Sequence, residues 1–220
     1  MKAKETASDE KDDIPAARRS IIYEHVFTHM SKMILNKYAL LLEQFLEDYE
    51  RRVHGRELTS TIPLSQKAIA LSLRELEDLH VLVSEPKGTI KQYMLNRHNT
   101  SVPDLLAIAE MGRKLRFLDE HLFARPLSAT SGMCVLHGSY AKAEQTRQSD
   151  LDILIIGSRE KMPEHIMGIP LHPISLSEPE YVRMLQKKDR FAAGILINHI
   201  ILSGAERYTR LAWRHWYGFD

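Results

Sequence analysis

The chain has 220 residues, a formal net charge of +1, 44% hydrophobic and 27% charged side chains; this is the profile of a globular protein, with room for one large domain or two small ones. Bulk charge does not announce a polyanion binder, the single cysteine, Cys134, excludes an intrachain disulfide and reads as a small buried side chain, and no apolar run reaches the ~20 residues that would span a bilayer. The opening MKAKETASDEKDD is polar and lacks the apolar core of a secretory signal, so residues 1–13 read as a disordered tail on a cytoplasmic protein.

After the tail, AARRSIIYEHVFTHM predicts a helix of modest length, and MILNKYALLLEQFLEDYERR a stronger one. In the second, Ile34, Tyr38, Leu41, Leu42, Phe45 and Tyr49 recur at helical spacing and Gly55 closes the run. A short helical turn over Arg56–Thr59 and the polar turn STIP lead to a further helix that starts at Pro63 or Ser65, with Ser65 as N-cap. Ile69, Leu73 and Leu76 mark its buried face; Lys67, Ala70, Leu71 and Arg74 face outward. Two short β-runs, VLVSE and IKQYMLN, joined through Pro86-Lys87-Gly88-Thr89, predict a hairpin.

The stretch from Ser101 to Pro126 predicts one long amphipathic helix. Ser101 and Asp104 form a capping-box variant, Pro103 lies in the first turn, Pro126 is the stop, and Leu105, Ala109, Leu115, Leu118 and Leu122 make the apolar face. From residue 131 the pattern becomes α/β. Strands are expected over 133–137, 151–156 and about 170–176, with a helix over 178–188. A helical segment near 190–197, a short HIIL strand and a terminal helix from 204 complete the chain. His165 reads as a surface or loop residue, and WRHWYGF as a packed helix end.

The chemistry concentrates in VLHGSYAKAEQTRQSDLDILIIG. Asp150 and Asp152 are two apart, so in a strand both carboxylates leave the same face while Leu151 and Ile153 point into a core. Carboxylates beside buried neighbours are costly unless compensated, and a divalent cation does this; oxygen-only ligation favours Mg²⁺. Gly138 lets the backbone approach a phosphate closely, and Ser139 offers a hydroxyl and a main-chain N–H. Lys142 and Arg147, in the polar connection, can neutralise triphosphate charge.

Gly-Ser, ten residues, then Asp-hydrophobic-Asp is similar to the signature of the DNA polymerase β-like nucleotidyltransferases. It is closest to their minimal members, whose Gly-Ser-x-Ala-Arg-Gly reads GSYAKA here, with Lys142 for the arginine and Ala143 for the last glycine. The resemblance implies that Gly138 and Ser139 bind the triphosphate and that Asp150 and Asp152 hold Mg²⁺ or Mn²⁺. It also implies transfer of a nucleoside monophosphate from an NTP to a hydroxyl on a protein, a nucleic acid or a small molecule. The family's third carboxylate, which completes the metal site and accepts the proton, has no acid to match it in IPLHPISLS. The slot falls on His172, which then becomes the candidate base, with Ser175 next along; Glu178 and Glu180 come too late, and Ser177 with Glu180 reads as a capping box.

GRELTSTIPLSQKAIALSLRELEDLHVL resembles the winged helix-turn-helix repressors. The resemblance implies double-stranded DNA as partner, with Ser65, Gln66, Lys67 and Arg74 on the recognition helix and Lys87 and Lys91 in or beside the wing as contacts. Residues 51–98 hold eight Lys or Arg against five Asp or Glu, a modest excess, and winged helices also serve as protein-docking or dimerisation modules. The expected division is a winged helix-turn-helix domain over 14–100, a linking helix over 101–126 and a nucleotidyltransferase domain over 127–220, its mixed sheet flanked by helices: an α/β (α+β) chain whose combination resembles archaeal proteins. Two further readings stay open: a DNA-binding transcription regulator whose transferase domain is weak or inactive, and an antitoxin-like protein with a toxin partner. A protein acceptor and a homodimer are left open with them.

Overall fold

The computed structural model describes residues 37–218; the expected helix over 16–30 and the first residues of the next one lie outside them. Helix α1 (Lys37–Leu42) passes into a 3₁₀ turn (Glu43–Phe45) and stops there, short of the 33–52 run that the apolar stripe predicts. The reason is local. An α-helix continuing past this point would give the Gln44 carbonyl to the Asp48 N–H, but the Arg51 guanidinium donates to that carbonyl at 3.0 Å and Asp48 turns back to Phe45 O at 3.2 Å. Leu46 and Tyr49 are buried all the same, on irregular backbone.

Gly55 opens α2 (Gly55–Leu58) instead of merely ending the previous element, because His54 caps it: its ring Nδ1 accepts from Glu57 N at 3.2 Å. In α3 (Gln66–Asp78) the Ser65 hydroxyl accepts from Ala68 N at 3.2 Å, and Ile69, Leu73 and Leu76 are buried. Lys37 Nζ and Tyr38 Oη both donate to Glu75, at 2.7 and 2.8 Å, fastening α1 to α3. Strands β1 (Leu82–Lys87) and β2 (Ile90–Leu95) pair antiparallel about Gly88, and Val53 bridges to Tyr93 on the far side of β2.

Helix α4 (Val102–Glu120) ends six residues before Pro126. His121 stops it: its N–H donates to Phe117 O, its ring Nδ1 lies 3.1 Å from the same carbonyl, and its backbone leaves the helical region. A 3₁₀ stretch (Leu122–Ala129) follows with Pro126 inside it, and Leu122, expected on the apolar face, is half exposed. The capping box expected at Ser101 does not form; Asp104 instead accepts from the Arg210 guanidinium at 2.6 Å. Within α4, Glu110 is fully buried. Its Oε1 lies 2.8 Å from His199 Nε2, while His199 Nδ1 is 2.8 Å from Ile195 O.

The remaining elements are β3 (Met133–His137), a single helical turn α5 (Gly138–Ala141), β4 (Leu151–Ile156), the two-residue β5 (His165–Ile166), β6 (Ile169–Leu176), α6 (Glu178–Gln186), α7 (Arg190–Ile197), β7 (Ile200–Ser203) and α8 (Ala205–Tyr217). His165 thus sits in a strand, though an exposed one. The five-stranded sheet runs β5-β6-β4-β3-β7, with β4 and β6 parallel and every other pair antiparallel. In central β4, Leu151, Ile153 and Ile155 enter one core with Phe117, Leu118 and Tyr140. Leu154 and Ile156 enter another that continues through Tyr181, Tyr208 and Trp213 to Leu41 and Phe45. Beyond β5, strand β6 has an open edge. Leu171 N–H turns away from β4 to Glu164 O and the Leu176 carbonyl turns toward it to accept from Gly157, so alternation turns Pro173, which has no N–H, outward. That blunts the edge against strand pairing.

Candidate active site

The site lies where β3 ends and β4 begins. Cross-strand register sets His137 opposite Asp152 and, on the other side, Asp152 opposite His172. Directly paired residues share a sheet face. His137, Asp152 and His172 therefore form one rank across three strands, with Asp150 two residues back on the same face as Asp152. Asp150 and Asp152 keep 35% and 38% of their side chains exposed, so water still reaches both carboxylates, whereas Leu151 and Ile153 are wholly buried. His172 Nδ1 is 3.6 Å from Asp150 Oδ2 and 3.9 Å from Asp152 Oδ1: near, but beyond hydrogen-bond length.

Gly138 holds the turn against this rank. Its φ is +71°, a left-handed conformation, and a Cβ there would stand 2.2 Å from Asp152 Oδ2. Glycine is thus required twice, by backbone conformation and by space. Ser139 is half-buried, and its carbonyl accepts from Glu144 N at 2.9 Å. The connection that follows is braced by buried Tyr140, by a 3.2 Å contact from Gln145 Nε2 to His121 Nε2, and by Thr146 N donating to Ser149 Oγ at 2.8 Å. Ala143, where the resembling motif has glycine, keeps the left-handed backbone at φ +57°. Lys142 and Arg147 stand exposed on this loop.

The structure therefore brings Gly138, Asp150, Asp152 and His172 together and sets Ser139 beside them. His137 was not among the residues singled out from the sequence. It is half-buried, its Nε2 has no hydrogen-bond partner among the described residues, and its ring meets Phe191 edge-on at 5.4 Å. Burial lowers its pKa below the ordinary histidine value, against a smaller opposing effect of Asp152, so the ring is neutral at pH 7. The two-stranded register was the signal for it: a strand ending at 137 and returning at 151 pairs these two positions.

Among the described residues no three His, Cys, Asp or Glu side chains are arranged to hold a metal ion. The carboxylate pair suits a divalent cation: both groups are oxygen donors on one face and partly open to water.

The other singled-out residues lie on separate elements. Ser65 is occupied as the cap of α3; Gln66, Lys67, Arg74 and Lys87 are exposed; Lys91 Nζ is paired with Glu77 at 2.7 Å.

Residues 124–196, about a third of the chain, match the family model described as nucleotidyltransferase domain. That span runs from the 3₁₀ stretch through β3, β4 and β6 into α7, and so contains the whole rank and the Gly-Ser turn. No curated protein and no solved structure matches the chain. Residues 124–196 are thus similar to a nucleotidyltransferase domain, and nucleotidyl transfer is the chemistry this supports. No helix among the described residues is long and apolar enough to cross a membrane.

Proposed function

We infer that the protein transfers a nucleoside monophosphate from an NTP to a hydroxyl. The observation that supports this most is the closeness of Gly138 to Asp152 within the His137–Asp152–His172 rank. A phosphate chain laid along Gly138 and Ser139 would reach the carboxylates with no side chain in between. Asp150 and Asp152 would hold Mg²⁺ or Mn²⁺, which supplies Lewis-acid charge neutralisation to a triphosphate when bound. Lys142 and Arg147 would meet the outer phosphates. The acceptor oxygen bonds to the α-phosphorus, the bond from that phosphorus to the bridging oxygen breaks, pyrophosphate leaves, and His172 takes the hydroxyl proton.

The described N-terminal elements, over 37–100, fit the greater part of a winged helix-turn-helix unit, with α4 linking it to the transferase domain. Support comes from the capped α3 with its buried Ile69, Leu73 and Leu76, the exposed Lys67 and Arg74, and the hairpin that follows. Duplex DNA is its proposed partner, held by cations against phosphate. A second reading, a DNA-binding regulator whose transferase domain binds nucleotide without turnover, is favoured by one observation: the group beside Asp150 and Asp152 is His172 and not a third acid.

Labelled NTPs with Mg²⁺ or Mn²⁺ and cell extract test the first reading. Wild type should transfer label to an acceptor, and Asp150→Ala/Asp152→Ala should not. If wild type binds NTP with metal but transfers nothing, the regulator reading replaces it. Lys67→Ala/Arg74→Ala should abolish salt-dependent duplex binding; if wild type binds no duplex at low salt, the unit is a protein-docking module.

A further inference from the structure

Away from the carboxylate rank, the turn after the hairpin, the start of α4 and one side of α8 border an open cavity of about 360 Å³. Three arginines line it: Arg97 from the turn and Arg210 and Arg214 from α8; Thr100, Pro103 and the edge of Trp213 complete most of the wall. It shares no lining residue with the Gly138–Asp152–His172 site.

The positive charge of this cavity is only partly compensated. Arg210 is bound by Asp104 at 2.6 Å and lies 3.5 Å from Glu206. Among the described residues no carboxylate pairs with Arg97 or Arg214, and Arg97 Nε donates to the His98 ring at 3.2 Å instead. Two exposed guanidinium groups are thus held around one concavity, with a third positioned by its own acid. Guanidinium groups converging on a pocket suit planar, bidentate recognition of phosphate oxygens. Its volume falls within the range of small-ligand sites, with a wide mouth to solvent. Its walls come from elements far apart in sequence, so an anion seated there would hold the hairpin turn to the last helix.

We propose that this cavity is a second phosphate-binding site, taking the terminal phosphates of a nucleotide or a phosphodiester of a nucleic-acid strand, independent of the Gly-Ser turn. Its lining includes one of the chain's two tryptophans, Trp213, which supplies an optical reporter.

The test uses the full chain carrying Asp150→Ala/Asp152→Ala, which removes the metal ligands of the first site and makes the outcome independent of the transferase reading. Tryptophan fluorescence and calorimetry follow titration with ATP, with pyrophosphate and with a short single-stranded oligonucleotide, all without divalent metal. Saturable binding is expected, weakened about 10-fold or more by Arg97→Gln or Arg214→Gln. Both arginines are exposed, so neither substitution removes core packing, and unchanged thermal melting of each variant checks this. Tighter binding of ATP or pyrophosphate identifies terminal phosphates, and tighter binding of the oligonucleotide identifies a strand; either ordering supports the site. Absence of saturable binding by all three probes, or binding indifferent to both glutamine variants, overturns it.

Discussion

Gly138→Ala separates two costs that one residue carries. An alanine at φ +71° occupies the left-handed region, at about 1–2 kcal/mol. Its Cβ would also stand 2.2 Å from Asp152 Oδ2, 3.1 Å from Cγ and 3.3 Å from Cβ. Restoring ordinary contact requires the carboxylate oxygen to retreat by roughly 1 Å or more. Swinging the carboxylate relieves the oxygen but not the tight contact to Asp152 Cβ, so part of the displacement falls on the β3–β4 backbone. A displacement of ~1 Å in positioning groups costs about 100-fold in reaction rate, and loss of good geometry at a metal ligand at least about 10-fold in affinity. Gly88→Ala is the matched control: φ there is +61°, with nothing within 4 Å of the added Cβ. Both variants should lose a few degrees of melting temperature, at about 2–4 °C per kcal/mol for a chain of this size. Only Gly138→Ala should lose metal-dependent NTP binding in calorimetry, by about 10-fold or more. NTP affinity in Gly138→Ala equal to that in Gly88→Ala would falsify the placement of the triphosphate against Asp152.

Ala143→Gly relieves a left-handed alanine at φ +57° and should stabilise the protein to urea by roughly 0.5–1 kcal/mol, after the greater freedom of glycine in the unfolded chain is set against it; a loss of stability in urea melts would show the loop to be unstrained. Glu110→Ala leaves His199 Nε2 buried without its partner and should cost about 1–3 kcal/mol in the same assay, where no measurable cost would mean the pair is dispensable. Burial pushes the Cys134 thiol from 9.0 up to about 12. The folded state therefore keeps a proton that the unfolded chain loses, and this contribution to stability is full below pH 9.0 and disappears as pH rises toward about 12. Cys134→Ala should make the alkaline fall in melting temperature shallower, and an unchanged slope refutes the assignment. His172→Asp adds an acid beside Asp150 and Asp152 and should raise both Mg²⁺ affinity and transfer rate; unchanged values for both would place the third-ligand slot elsewhere.

Where the chain's local grammar and its tertiary structure agree, the sequence could be read to the residue. The strands at 133–137 and 151–156 begin and end where expected, because an apolar run bounded by Gly138 on one side and Asp150 on the other has nowhere else to stop. The capping box from Ser177 to Glu180 forms for the same reason: all its partners lie within four residues. The misplaced helix ends were set by side chains acting at a distance or against type. Arg51 reaches back seven residues to take the Gln44 carbonyl. His121 stops α4 through a ring nitrogen, a role no helix propensity encodes, and Pro126, the stronger punctuation in sequence, is tolerated inside a 3₁₀ stretch. At the site, period-two alternation was enough to put Asp150 and Asp152 on one face. His137 needed the pairing register between two strands separated by the whole loop, and the left-handed state of Ala143 is invisible in a residue that rarely adopts it.

The two aspartates interrupt a strand whose following four residues, Ile153 to Ile156, are wholly buried, and unpaired carboxylates are expensive next to such neighbours. Two features reduce that cost without removing it. The pair flanks the first residue of β4, where a third or more of each side chain remains in water, and Gly138 contributes backbone but no side chain to cover Asp152. What is missing is a fixed cation: among the described residues no Lys or Arg pairs with either aspartate, and the nearest basic group is an exposed histidine beyond hydrogen-bond length. Elsewhere the chain pairs acids readily, with Lys37 on Glu75, Arg52 on Glu85 and Lys91 on Glu77. On the function proposed above, leaving both half-solvated, on one face and against a glycine, keeps their negative charge available to a divalent cation.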